Sequence, residues 1–303
     1  MSDFLRDLAY LLSASLFILG LRRLSSPRTA PAGNRLAAVG MFGAVVVTLV
    51  ERGVLDSPWA PVGLALGAAV GAAAARAVRM TAMPPLVGIF NGLGGGASAL
   101  VAVGEVARGG APGEAAARTA LALGALVGAL TLSGSAVAFG KLQGLVASRP
   151  VTYPLQRPVN FALLGAALLA AVGFAAAAPE GALPAVVALA LVVGAAVVLP
   201  IGGGDMPVVI SLLNAYSGVA ASMAGFVLGH KLLIVAGALV GASGLILTRL
   251  MCRAMNRPLT NVLFGAFGRI EAGAAAAAAE RTARPATPPD AAILLTSARL
   301  VVV

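Results

Sequence analysis

The sequence predicts an all-α integral membrane protein of nine transmembrane helices, and three observations carry that prediction. Mean hydropathy is +0.97, 59% of the 303 residues are hydrophobic and only 11% are charged, a composition far outside that of a soluble domain. Apolar runs long enough to cross about 30 Å of hydrocarbon, roughly 20 residues each, recur along the chain. The basic residues fall between those runs and do not interleave with aromatics. The net charge of +10 therefore speaks for membrane topology and against nucleic acid.

The runs lie at 4–21, 36–51, 59–78, 84–104, 117–140, 159–178, 182–200, 206–229 and 232–252. The first has no small-residue cleavage site followed by a soluble domain, so it reads as a retained helix and not as a signal peptide. An odd number of spans puts the termini on opposite sides. Loops after spans one, three and five and the exit from span nine hold twelve basic residues: Arg22, Arg23, Arg28, Arg35, Arg76, Arg79, Lys141, Arg149, Arg157, Arg249, Arg253 and Arg257. The opposite side holds five: Arg6, Arg52, Arg108, Arg118 and Lys231. This bias places the N-terminus outside and the C-terminus in the cytoplasm.

The 38 glycines point to helices that approach one another closely. "GLGGGAS" (92–98) follows no strand and lies inside an apolar run, so it reads as packing glycine and not as a phosphate loop. Gly237, Gly241 and Gly244 put small residues on one face of span nine in the same way. One cysteine, Cys252, excludes an internal disulfide, and no His/Cys cluster has metal-ligand spacing. The single histidine, His230, reads as a loop residue at the external end of span eight.

Three segments are expected. Residues 1–258 form the membrane domain, and 259–290 form a cytoplasmic Ala/Pro-rich linker, in which "AGAAAAAAERTARPATPPD" (272–290) cannot bury a core of its own. Residues 291–303 end in a β-branched run that looks like the first strand of a soluble domain.

Self-similarity is visible between two span pairs. "MPPLVGIFNGLGG" (83–95) aligns with "MPVVISLLNAYSG" (206–218), matching Asn91 to Asn214 and Gly95 to Gly218. "SAVAFGKLQGLVASRP" (135–150) aligns with "SGLILTRLMCRAMNRP" (243–258). Spans 4–5 thus resemble spans 8–9, which predicts an internal parallel repeat.

The polar residues inside the bilayer need an account. Asp205 is placed to cap the start of span eight, with Pro207 tolerated in the first turn. Ser211, Asn214, Gly218, Ser222, Gly225 and Gly229 recur at steps of three and four and share one face, which must meet protein or water. An amide left unpaired in hydrocarbon costs several kcal/mol, so Asn214 requires partners, with Asn91 or Ser135 as candidates. Two readings fit. The residues are interhelical glue, each bond worth only about 0.6–2 kcal/mol, or they line a wetted path for a small ion. Residue chemistry alone favours glue, because no ionisable side chain sits at mid-depth to carry a proton.

Four strings, "GGGDMPVVISLLNAYSGVAASMAGF", "KLLIVAGALVGASGLILTRLMCRAMNRP", "GSAVAFGKL" and "MTAMPPLVGIFNGLGG", resemble the beta subunit of the proton-translocating nicotinamide nucleotide transhydrogenase. The likeness runs over nearly the whole chain. It implies a subunit of a Re/Si-specific enzyme that couples hydride transfer between NAD(H) and NADP(H) to proton movement across a bacterial plasma membrane. It further implies nine membrane helices, an NADP(H)-binding domain opening at "ARLVVV" (298–303), alpha-subunit partners with an NAD(H) domain and further helices, and a dimer of protomers in the lipid bilayer. The nucleotide fingerprint does not follow within 303 residues, so this chain alone is expected to bind no cofactor.

Carried over by residue, the resemblance puts Asn91, Ser135 and Asn214 on the proton path. Asp205 falls at the cytoplasmic mouth facing the NADP(H) domain, and Arg253 and Arg257 lead into the linker. Many members have a histidine where this sequence has Asn91, and asparagine takes up no proton near neutral pH. The resemblance thereby favours the path over glue and implies that a partner subunit's helix supplies the titratable group. Two alternatives from other classes are a secondary transporter of a small ion or solute and a structural anchor for soluble dehydrogenase domains. The first would need a charged or aromatic pocket at mid-depth, which the sequence does not offer. The second would conduct no protons.

Overall fold

A computed structural model describes residues 3–51, 59–109, 112–179 and 181–256, with residues 259, 287, 289, 292, 295 and 296. Among the described residues there are nine α-helices and no strand: α1 (Asp3–Arg23), α2 (Ala30–Glu51), α3 (Trp59–Ala77), α4 (Met83–Gly109), α5 (Ala115–Leu142), α6 (Gln156–Ala177), α7 (Ala182–Val198), α8 (Met206–Leu228) and α9 (Lys231–Ala254). Every expected span is a helix. Eight are long and apolar enough to cross a membrane. The remaining one, α7, has 17 residues, a rise of about 25 Å at 1.5 Å per residue, the low end of what crosses hydrocarbon. It begins after Gly181, whose φ is 78°, and stops before Pro200, which removes a donor from the ladder. The expected end of that span at 200 is therefore two residues too far.

The chain divides into two units, residues 1–268 and 269–303. All nine helices belong to the first. In the second, the Thr296 hydroxyl donates to the Ala292 carbonyl at 2.9 Å, one helical turn back. The strand expected at 298–303, Arg257 and nearly all of the linker lie outside the described residues.

Helices α5 and α8 are the most buried, and α5 packs against α4, α6, α7 and α8. One apolar cluster joins Leu121, Leu126, Phe174, Leu183 and Val186. A second joins Ala138 of α5, Val198 of α7, Met206, Val209 and Leu213 of α8, and Cys252 of α9. The expected glycine packing holds at several seams, α1–α2 and α5–α7 among them, and two concern the site. A Cβ on Gly128 of α5 would stand 2.5 Å from the Gly95 carbonyl oxygen of α4. A Cβ on Gly237 of α9 would stand 2.5 Å from the Ser222 nitrogen of α8. Only glycine allows backbones this close. On α3 the expectation fails: Gly63, Gly67 and Gly71 meet nothing within 4 Å, and the helix buries none of its residues.

Candidate functional site

Glycines of α4 bring α5 near enough for side chains to meet. Gly92 faces Ser135, whose Cβ lies 2.8 Å from where a Cβ on Gly92 would sit. That contact sets Ser135, fully buried, against the half-buried Asn91 one residue earlier. The Asn91 amide Nδ2 donates to Ser135 Oγ at 3.1 Å. From α8, Ser217 Oγ donates to Asn91 Oδ1 at 2.7 Å and to the Asn91 carbonyl at 3.2 Å. One amide thus links three helices.

Asn214 lies one turn before Ser217 and is half-buried. Among the described residues its side chain has no hydrogen bond, so the pairing with Asn91 or Ser135 expected from sequence does not form. Ser217, one turn on, takes the Asn91 oxygen instead, on the α8 face where Ile210 packs on Gly88. Ser211, Gly218, Ser222 and Gly225 share the face turned to α9. There Thr248 Oγ1 donates to Ser211 Oγ at 3.0 Å and Ser222 Oγ donates to the Ile234 carbonyl at 3.1 Å. The stripe drawn from the sequence thus meets α9 through Ser211, Gly218, Ser222 and Gly225, and the bond to Asn91 comes from Ser217, outside the stripe.

Asp205 occupies the N-cap position of α8, yet its side chain makes no capping bond. Residues Gly203–Asp205 already form a 3-10 turn, giving Asp205 φ −93° and ψ −2°, whereas a capping side chain needs the extended conformation. Asp205 is nine residues before Asn214, about 13 Å along the helix at 1.5 Å per residue. Arg253 is exposed in the last turn of α9.

His230, expected as a loop residue, lies in the α8–α9 connection and caps α9: its Nδ1 accepts from the Leu233 N–H at 3.3 Å. This leaves the proton of the neutral ring on Nε2, which faces Thr48 Oγ1 of α2 at 3.0 Å. Tyr10 of α1 reaches the same hydroxyl at 3.1 Å. A cavity of about 510 Å³ opens beside His230, lined by Arg6, Asp7, Tyr10 and Lys231 among others, and none of the expected path residues lines it.

Chemically, the Asn91 cluster offers amide and hydroxyl groups held in fixed orientations and no group that titrates near neutral pH. It can order water or a partner's polar group but cannot store a proton. Ser217 was missed from the sequence because the three-and-four stepping was drawn through Gly218. Its three-residue spacing from Asn214 was the signal.

The family description "NAD(P) transhydrogenase beta subunit" matches residues 6–303. An "NAD(P) transhydrogenase subunit beta" of Rhodospirillum rubrum is 46% identical over 305 residues, covering 97% of this chain and 66% of the relative. A second Rhodospirillum rubrum sequence of the same description, from a named strain, gives the same figures. The chain thus spans about two-thirds of the length of the curated relatives it matches. With nine apolar helices and a match over almost every residue, the chain belongs to the NAD(P) transhydrogenase beta subunit family.

Proposed function

We propose that this chain supplies the membrane part of a Re/Si-specific transhydrogenase that couples hydride transfer between NAD(H) and NADP(H) to proton translocation. Asn91, Ser135 and Asn214 line the path, with Ser217 completing it. The observation that supports this reading is the three-helix cluster around Asn91, with Asn214 half-buried and unbonded beside it. A polar amide at mid-helix without a side-chain partner among the described residues suits a position that water or another subunit's side chain completes.

The titratable group comes from an alpha-subunit membrane helix. Asp205, Arg253 and Arg257 face the NADP(H)-binding domain, which begins within residues 291–303 and is joined through the 259–290 linker. The N-terminus lies outside and the C-terminus in the cytoplasm of a bacterial plasma membrane, and two protomers assemble in the bilayer. The parallel repeat is supported by the matched Gly95 and Gly218, each of which stands at the close crossing of its helix pair, α4 with α5 and α8 with α9.

The experiment is Asn214→Leu in the full-length subunit with its alpha partners. Coupled proton uptake is expected to stop while assembly and the hydride reaction persist. Joint loss of assembly and uptake would favour glue, and unchanged uptake would remove Asn214 from the path.

A further inference from the structure

Lys141, one of the basic residues that the sequence assigns to topology, is only 1% exposed. It is the penultimate residue of α5, six residues after Ser135. Its Nζ donates to three backbone carbonyls: Leu199, Ile201 at 2.7 Å and Arg149 at 3.4 Å. Among the described residues it has no carboxylate partner. Burying an unpaired ammonium costs several kcal/mol unless each N–H is matched, and here the three donors meet three acceptors. Two of those acceptors belong to the chain leaving α7, where unsatisfied carbonyls and the helix dipole favour a cation.

The neighbouring backbone closes the same clasp. Ser148 Oγ donates to the Lys141 carbonyl at 3.0 Å, Gly203 N–H donates to the Ser148 carbonyl at 2.7 Å, and Val151 N–H donates to the Leu199 carbonyl at 3.1 Å. Beyond the clasp come Gly202, Gly203 and Gly204, then Asp205 and α8. The chain entering α8 is therefore held at residues 199–203, and a Cβ on Gly204, inside the 3-10 turn, would meet nothing within 4 Å.

We propose that Lys141 is a positioning residue for proton translocation: its ammonium clamps the α7–α8 connection to the end of α5 and fixes the pivot from which α8 carries Asn214 past Ser135. This rests on the proton-path reading above. Lys141 is not itself a proton carrier. A neutral amine would keep two N–H donors for three carbonyls and turn its lone pair on the third, so the clasp holds the protonated form.

The test measures protons taken up per hydride transferred, in sealed vesicles carrying the full-length subunit with its alpha partners. Lys141→Met is expected to lower that ratio about tenfold, the scale of residues that modulate coupling without touching a ligand. The pH profile of the remaining activity should stay where it was, and Lys141→Arg should retain most of the ratio. A covalent clasp then separates position from charge. A Cβ on Gly203 would lie 3.2 Å from Ser148 Cβ, so an oxidised Ser148→Cys/Gly203→Cys pair is expected to restore coupling in the Lys141→Met chain. An unchanged ratio in Lys141→Met, a displaced pH profile, or no rescue by the crosslink would each overturn the proposal. If Lys141→Met does not assemble, the crosslink in the otherwise unaltered chain decides. Full coupling is expected, and loss of coupling on oxidation would mean that this segment must move. If the unaltered complex takes up no protons, the proton-path reading falls and this inference with it. Loss confined to Lys141→Met has no such consequence.

Discussion

Asn91 is where the chemistry of single residues matters most, because its amide donates to Ser135 on α5 and accepts from Ser217 on α8. Asn91→Leu would strip both hydroxyls of their partner in a low-dielectric setting, at a cost of about 1–3 kcal/mol. Thermal denaturation of the assembled complex should show it as a lower midpoint, together with lost proton uptake. Ser217→Ala removes one bond and leaves the Asn91–Ser135 pair, so coupling should fall with a smaller stability loss, roughly 0.6–2 kcal/mol. Full coupling in Ser217→Ala would take that residue off the path. At this scale the sequence was informative about residue identity and silent about pairing. Asn91 and Ser135 were singled out as polar residues within the spans, but their bond to each other was not foreseen. Asn214 does not bond Asn91 or Ser135: Ser217, three residues on along α8, takes the Asn91 oxygen, and a periodic pattern alone does not say which of two neighbouring polar residues does so. The cap expected at Asp205 failed because the glycines before it wind a 3-10 turn that spoils the capping geometry.

Among the elements, glycine seams and polar pins hold the bundle. Gly218 faces Gly241 and the Gly237 carbonyl across the α8–α9 seam, whereas Gly94 on α4 meets nothing within 4 Å. Gly218→Val should therefore destabilise the complex by about 1–3 kcal/mol through overpacking, while Gly94→Val should leave the midpoint nearly unchanged. Equal effects would mean that valine in a helix, and not the seam, is being measured. Arg118, near the start of α5, donates to the Ala175 and Ala176 carbonyls at the end of α6 at 2.8 and 3.2 Å. Lys141 does the corresponding work for α7, so each end of α5 carries a cation set on a neighbour's C-terminal carbonyls. Both were read from sequence as topology charges, since a basic residue beside a helix end looks the same whether it faces the headgroups or a neighbouring helix. A third pin is His230, which joins α9 to Thr48 of α2 and Tyr10 of α1. Thr48→Val should speed amide exchange along α1 and α2 while leaving α5 and α8 protected, measured by hydrogen exchange in lipid. Faster exchange throughout would contradict a local clasp.

For the whole molecule, the number and order of helices were legible because crossing a bilayer demands runs of a set length, and that demand leaves the same trace in any sequence. How much each helix buries was not legible. Helices α3 and α5 are similarly apolar runs, yet α3 buries none of its residues while α5 lies at the centre. Hydrophobicity drives insertion equally for both, and in lipid it does not decide which helix is surrounded. The family resemblance read from four strings is matched over residues 6–303. Its functional content turns on Asn91, which holds a position between α5 and α8 with a side chain that cannot titrate. The direct measurement is proton uptake into sealed vesicles holding the full-length subunit and its alpha partners, driven by NADPH reducing an NAD analogue, with Asn91→His compared against the unmodified protein. If the path is shared between subunits, the unmodified complex takes up protons and replacing a histidine on the partner's membrane helices stops it. Uptake that appears only after Asn91→His would contradict the shared path and leave the natural chain as an anchor.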